Sequence, residues 1–215
     1  RVIDLTSTTL DFIPYYLLVT IMPSPNINSI TDFFYALDEL KLVNRKSYVT
    51  GAERVENSAE HSWHLAMACW AMAEHLPYKY NQEKLIKLAL VHDLGEIHAG
   101  DTFLYSNERS KADEEERKGI ELLQQHVGNP ISELLSLWDE QEYGESEETR
   151  LLKVMDRVLP FLLNIQSEGK AWLENDIHVS QVEKAHAFIA DLNPDVHAWF
   201  KEKIAFAVSK GWLKS

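Results

Sequence analysis

A chain of 215 residues with 21 Lys and Arg against 34 Asp and Glu has a net charge of -13, and so lacks the general basic face that a DNA or RNA backbone requires. Its 8 glycines and 7 prolines fall well short of the usual shares of about 7% and 5%, which argues against a turn-rich all-β architecture and for a helical one. At 45% hydrophobic and 26% charged, the chain has enough apolar material for the core of one domain and is not a disordered composition.

Residues Phe12 to Met22 are apolar but run for only about 11 positions, too few to span a bilayer at about 20, and they include Pro14. Arg1 is followed by Asp4 and Asp11, which is not the pattern of a secretory signal. We therefore expect no membrane anchor, an N-terminal extension of unclear origin over 1–27, and a single domain over 28–215 that includes the C-terminal helices. From Ser29 onward the apolar period is helical, giving an all-α expectation of about eight helices near 29–42, 58–76, 82–97, 110–127, 130–141, 147–168, 179–191 and 195–210. A polar connection with Gly51 follows the first helix. Asn57 with Glu60 three residues on forms a capping-box signature for the second. The single Cys69, in the apolar run Leu65 to Ala73, reads as a core residue. It excludes an intramolecular disulfide and suits a reducing, cytoplasmic compartment.

Polarity and position conflict at one place in particular. On the helical period, residues 85, 88, 89, 92, 93 and 96 share a stripe, so a face that begins with Leu85, Leu88 and Ala89 continues as His92, Asp93 and Glu96. Burying such groups unpaired is costly, so they satisfy one another or a cation joins them. The helix around Asp156 repeats the conflict, placing a carboxylate among Leu152, Met155, Leu159 and Leu163. Pro160 withholds the helical hydrogen bond from the carbonyl of Asp156. His61, in the first turn of the second helix, adds another imidazole. Its neighbourhood, Glu60 to His64, is not the His-Glu-x-x-His of a metalloprotease. His61, His92, Asp93 and Asp156 together would suit one divalent ion, with Mn, Co, Fe, Mg and Zn all open.

The order His61, then His92-Asp93, then Asp156 resembles the HD-domain superfamily of metal-dependent phosphohydrolases. The longer runs from Leu40 to Arg45, from Glu56 to Ser62, from His92 to Asp101 and from Lys153 to Asp156 resemble its 5'-deoxynucleotidase branch. The resemblance covers roughly residues 28 to 190. It implies an HD-domain helical bundle around a buried metal site, with His61, His92, Asp93 and Asp156 as ligands of a single ion. It further implies that Glu96 and Asp101 serve the hydrolysis and that Arg45 holds the substrate phosphate. An Arg is well suited to that task, because its planar fork matches two phosphate oxygens and supplies the local positive charge an acidic protein needs. Lys46 follows Arg45 where some members of the branch carry Trp.

The function implied is hydrolysis of a small nucleotide, a deoxyribonucleoside 5'-monophosphate, to nucleoside and phosphate, in an enzyme with no nucleic-acid polymer or membrane as partner; the resemblance also implies a homodimer. Another HD reaction (a phosphodiesterase, a pyrophosphohydrolase or a two-iron oxygenase) is the alternative within the superfamily. His98 and His126 are the candidates for the extra ligands that a second metal would need. Outside the superfamily, the alternative is a non-catalytic helical interaction module whose His and Asp residues merely satisfy one another.

Overall fold

In the computed structural model the residues described are 26–106 and 109–215, so the stretch Phe12 to Met22 lies outside them. Asn26 caps the first helix, α1 (Ile27–Asp38), its side chain accepting from the Ser29 amide, and a 3-10 turn over Glu39–Leu42 extends it. In place of the expected polar connection, the chain then forms an antiparallel hairpin of β1 (Asn44–Tyr48) and β2 (Val55–Asn57), with an irregular register between the Asn44–Asn57 and Tyr48–Val55 pairs. The pattern was invisible because two such short strands, with a shift between them, carry no sustained alternation. Tertiary contacts hold the hairpin instead. Lys170 lies 3.9 Å over the Tyr48 ring and bonds the Ala52 carbonyl, while the Tyr48 hydroxyl donates to Glu174.

The capping box opens α2 (Ser58–His75) as expected: Asn57 accepts from the Glu60 amide at 2.9 Å and Glu60 accepts from the Asn57 amide at 3.2 Å. The inward face of α2 includes His61, Leu65 and Cys69, each fully buried. The expected helix 82–97 is not continuous. It divides into α3 (Gln82–Val91) and a single turn, α4 (Glu96–Ala99). Between them the hydrogen bonds tighten to three-residue steps, from Leu94 to the Val91 carbonyl and from Glu96 to the Asp93 carbonyl. The polar stripe survives the break, because His92, Asp93 and Glu96 are all buried.

Backbones meet closely at this turn. A Cβ on Gly95 would stand 2.4 Å from the Glu116 carbonyl oxygen, and one on Gly119 would stand 2.4 Å from that of Gly95. Only glycine at both positions lets α4 lie against α5 (Arg109–Gln124) this way. The helices α6 (Leu134–Tyr143) and α7 (Glu147–Gln166) follow, and α7 stays helical through Pro160. Beyond it come a short α8 (Lys170–Glu174), then α9 (Val179–His186) and α10 (Ile189–Leu192) where one helix was expected, and α11 (Pro194–Ser209). Helices α2, α3 and α7 share one core cluster around Leu65, Leu88 and Leu152. Phe33, Ile120 and Trp138 centre a second, and Phe161, Trp172 and Phe200 a third that ties the C-terminal helices to α7. No helix among the described residues is long and apolar enough to cross a membrane.

Glu140 fastens α6 to its neighbours, accepting from Lys84 at 2.8 Å, Ser146 at 2.7 Å and Thr149 at 3.0 Å. The hydrogen bond from Lys84 is the main reason its carboxyl is drawn down to about 2. A depressed carboxyl contributes stability above its unfolded value and loses it as the pH falls toward the folded one. Glu140→Gln is expected to destabilise the fold by about 1 kcal/mol at pH 7. In urea melts, the gap from the unsubstituted protein should shrink between pH 5 and pH 2.

Candidate active site

Three elements bring the expected residues together. The first turn of α2 carries His61, the tight turn after α3 carries His92 and Asp93, and the middle of α7 carries Asp156. His61, His92 and Asp156 each offer a ligand atom, and these atoms lie within 4.8 Å of one another. His61 Nε2 and Asp156 Oδ1 are 2.9 Å apart, and His92 Nε2 is 3.8 Å from the same oxygen. Asp93 stands at the edge of this cluster, with Oδ1 3.0 Å from His92 Nε2 and Oδ2 accepting from Arg45 at 2.9 Å.

The cluster opens on a cavity of about 350 Å³, lined among others by Arg45, Lys46, Glu96, Asp101, Lys153 and Arg157. Arg45 reaches it from β1. Its guanidinium lies 2.9 Å from Asp93, 3.6 Å from Asp101 and 3.9 Å from Glu96, and its Nε is 3.4 Å from Glu56. Glu96 is held from behind by Ser58, whose hydroxyl donates to Oε2 at 2.5 Å. Gly100, at φ 77°, turns the chain so that Asp101 comes back to the cavity.

The electrostatics follow from burial. Desolvation, with Asp93 facing it, pushes the Glu96 carboxyl up to about 10, and desolvation pushes Glu56 up to about 7. Burial also drives His61 down to about 4, so its ring is neutral at physiological pH. Against the same burial, Arg157 and then His61 hold Asp156 well below the usual carboxylate range. Arg157 bonds Asp156 Oδ2 at 2.6 Å.

The donor set fits a divalent ion. Asp93, Asp101 and Asp156 face two guanidiniums, Arg45 and Arg157, with the neutral carboxyl of Glu96 and the raised one of Glu56 beside them, so the carboxyls outnumber the cations. His92 Nδ1 donates to the Ala89 carbonyl at 2.8 Å. That bond fixes the tautomer and leaves Nε2, buried without a hydrogen bond, free to ligate. His61 Nδ1 and Glu56 Oε1 are likewise buried without hydrogen bonds and lie 3.6 Å apart. His61 Nε2 donates to Asp156 Oδ1 at 2.9 Å, a bond that a bound ion would replace, with Glu56 behind the ring to receive the proton on Nδ1. Imidazoles beside carboxylates are what borderline divalent ions bind, once they give up the proton of the ligating nitrogen.

Comparison with known proteins agrees with this geometry. The model of the HD domain family matches residues 37–197. The chain belongs to the HD domain family. This HD domain is similar to a 5'-deoxynucleotidase from Bos taurus, with 29% identity over 203 residues that span 89% of this chain and 96% of that one. It is also 30% identical over 184 residues to a 5'-deoxynucleotidase from Yersinia pseudotuberculosis, covering 75% of this chain and 91% of the relative. Among solved structures, a predicted metal-dependent phosphohydrolase from Magnetospirillum magnetotacticum superposes with a TM-score of 0.77 at 30% identity, over 87% of this chain and 98% of the other. Fold, family and the presence of hydrolase chemistry thus agree with the expectations drawn from sequence.

The second-metal candidates do not join the site. His126 packs on Phe33 with centroids 5.5 Å apart and accepts from the Gly128 amide, and neither it nor His98 belongs to the metal-capable group found among the described residues. Three residues that touch the cluster were not among the expected site residues: Glu56 behind His61, Ser58 behind Glu96, and Arg157 on Asp156. Glu56 and Ser58 both lie in the run from Glu56 to Ser62 that carries the family resemblance, whereas Arg157 follows the run that ends at Asp156.

Proposed function

We propose that this HD-domain hydrolase cleaves the phosphomonoester of a deoxyribonucleoside 5'-monophosphate, giving nucleoside and inorganic phosphate. One observation carries the reading: the convergence of His61, His92 and Asp156 within 4.8 Å at the edge of a cavity whose walls also present Arg45, Lys46, Lys153 and Arg157. An acidic protein that binds a small phosphate ester needs cations at the site, and these four stand among the carboxyls that line the same walls. The names of the relatives from Bos taurus and Yersinia pseudotuberculosis support the choice of substrate.

In this reading His61, His92, Asp93 and Asp156 hold one divalent ion. When bound, the ion activates water as the nucleophile and stabilises charge on the phosphoryl oxygens. Glu56, 3.6 Å behind the ring, would accept the proton of His61 Nδ1 once an ion takes Nε2. Ser58 occupies Glu96 Oε2, which leaves Oε1 to take up or deliver a proton at the cavity. Asp101, on the same wall, is placed to act on the leaving oxygen. Arg45 contributes a planar fork for the phosphate, and the cavity positions the ester for direct attack without a covalent protein intermediate.

The test is a phosphate-release screen over ribo- and deoxyribonucleoside 5'-monophosphates with Mn, Co, Mg and Zn, alongside thermal melts. The expected result is turnover selective for 2'-deoxy substrates and lost to chelators, with a melting temperature raised by Mn or Co because the ion binds only the folded state. Turnover confined to phosphodiesters or pyrophosphates, or about two metal ions per chain, would redirect the assignment to another HD reaction. No thermal shift with any ion would favour the interaction module.

A further inference from the structure

The two aspartates of the cluster are held in the same way. Asp93 turns Oδ1 toward His92 Nε2 at 3.0 Å, and its Oδ2 accepts from the Arg45 guanidinium at 2.9 Å. Asp156 turns Oδ1 toward both imidazoles, 2.9 Å from His61 Nε2 and 3.8 Å from His92 Nε2, and its Oδ2 accepts from the Arg157 guanidinium at 2.6 Å. Each carboxylate thus shows one oxygen to the imidazoles and has the other taken by an arginine. The Arg45 contact joins β1 to the turn after α3. That of Arg157 is made within one helix, between neighbours whose side chains ordinarily point apart.

Arg157 lines the cavity, yet its guanidinium bends back onto the neighbouring carboxylate. With side chains only 23% and 19% exposed, the pair is screened little by solvent. A charge-assisted bond this short holds its oxygen firmly. The effect on a bound ion follows from coordination chemistry. A carboxylate with both oxygens free ligates through one or through both, and calcium, which takes about six to eight ligand atoms in flexible geometry, gains most from the second oxygen. Smaller ions that keep to about six ligands in near-octahedral geometry gain little from it. The two imidazoles already disfavour calcium, and an arginine on the outer oxygen of a ligand carboxylate adds to that bias.

We propose that Arg157 is a positioning residue that sets the metal selectivity of the site: by holding Oδ2 it restricts Asp156 to one ligating oxygen, and so favours compact six-coordinate ions over calcium. This rests on the metal-binding reading above. In that reading Arg45 is shared with the substrate phosphate, so Arg157 is the residue whose removal isolates the effect.

The test needs neither substrate nor turnover. Calorimetry on the chelator-stripped full chain would measure binding of Mn, and of calcium by its displacement of Mn, in the unsubstituted protein, in R157L and in R157M. Methionine keeps an unbranched stem, and either variant alone decides the matter should the other fail to fold. The unsubstituted protein is expected to prefer Mn over calcium, and the variants to narrow that preference about tenfold, because the freed Oδ2 helps calcium more than Mn. Both ions are dications, so loss of the guanidinium charge moves the two affinities together and leaves their ratio alone, as does a general loosening of the site. An unchanged ratio, whether both affinities hold or fall in step, therefore overturns the selectivity role. So does a ratio moved further toward Mn, or calcium that displaces Mn from no form of the protein. An unsubstituted protein that binds neither ion would remove the metal reading itself, and is told apart from those results by its missing Mn isotherm.

Discussion

His61→Ala is expected to strip the protein of its divalent ion and to lower phosphate release by at least about a thousandfold, since a metal site supplies several kcal/mol of transition-state stabilisation. The effect should be this large because His61 has no exposed surface and joins both halves of the cluster, with Asp156 at 2.9 Å from one ring nitrogen and Glu56 at 3.6 Å from the other. Removing the ring leaves two carboxyls without their shared partner and a void in the core, at a cost of about 3 kcal/mol in the ion-free protein. Elemental analysis, phosphate release and melts with and without Mn check the three parts separately. A variant that keeps its ion and its Mn-dependent melting shift would refute the ligand set.

Arg45→Ala should be the most destabilising substitution near the cavity. It strands Asp93, Glu96, Asp101 and Glu56, all within 3.9 Å of the guanidinium, and breaking one side of a buried charge cluster costs about 3–5 kcal/mol. The sign with pH is fixed by Asp93. Although burial opposes it, His92 and Arg45 draw this carboxyl down to about 2, so its contribution is present above the unfolded value and fades as the pH drops toward 2. The gap between the variant and the unsubstituted protein should therefore be widest near pH 7, narrow below pH 4, and narrow also on adding a divalent cation at pH 7. Arg45→Lys should recover more stability than phosphate affinity, because an ammonium replaces the charge but not the fork. Equal recovery of both in denaturant melts and KM would count against a phosphate role for Arg45.

Much of the site could be read from the sequence because it violates the helical period. Asp156 sits where the stripe of α7 asks for an apolar residue, and His92, Asp93 and Glu96 continue a stripe that begins with leucine; both conflicts persist in the fold, as three buried polar groups and a half-buried Asp156 around one cavity. The capping box at Asn57 and Glu60 was equally legible, since it depends on four adjacent positions. What escaped depends on distant partners. The hairpin carrying Arg45 and Glu56 is held by Lys170 and Glu174, more than a hundred positions away. The break after Val91 comes from a run of three-residue hydrogen bonds, beside a glycine that packs on another helix. Arg157 follows Asp156 directly, and neighbours on a helix normally face apart; only its long side chain, wrapping back, makes the contact.

The crossing of Gly95 with Gly119 bears on how this protein can evolve. The turn that carries His92, Asp93 and Glu96 meets the main chain of α5 at Gly95 and packs Leu94 in one cluster with Ile120 and Leu123, so a side chain gained at either glycine would force the two elements apart. A substitution at either glycine thus shifts the aim of all three groups together. Diversification of substrate choice is therefore channelled toward the opposite wall, where the hairpin and the C-terminal helices present replaceable side chains to the same space.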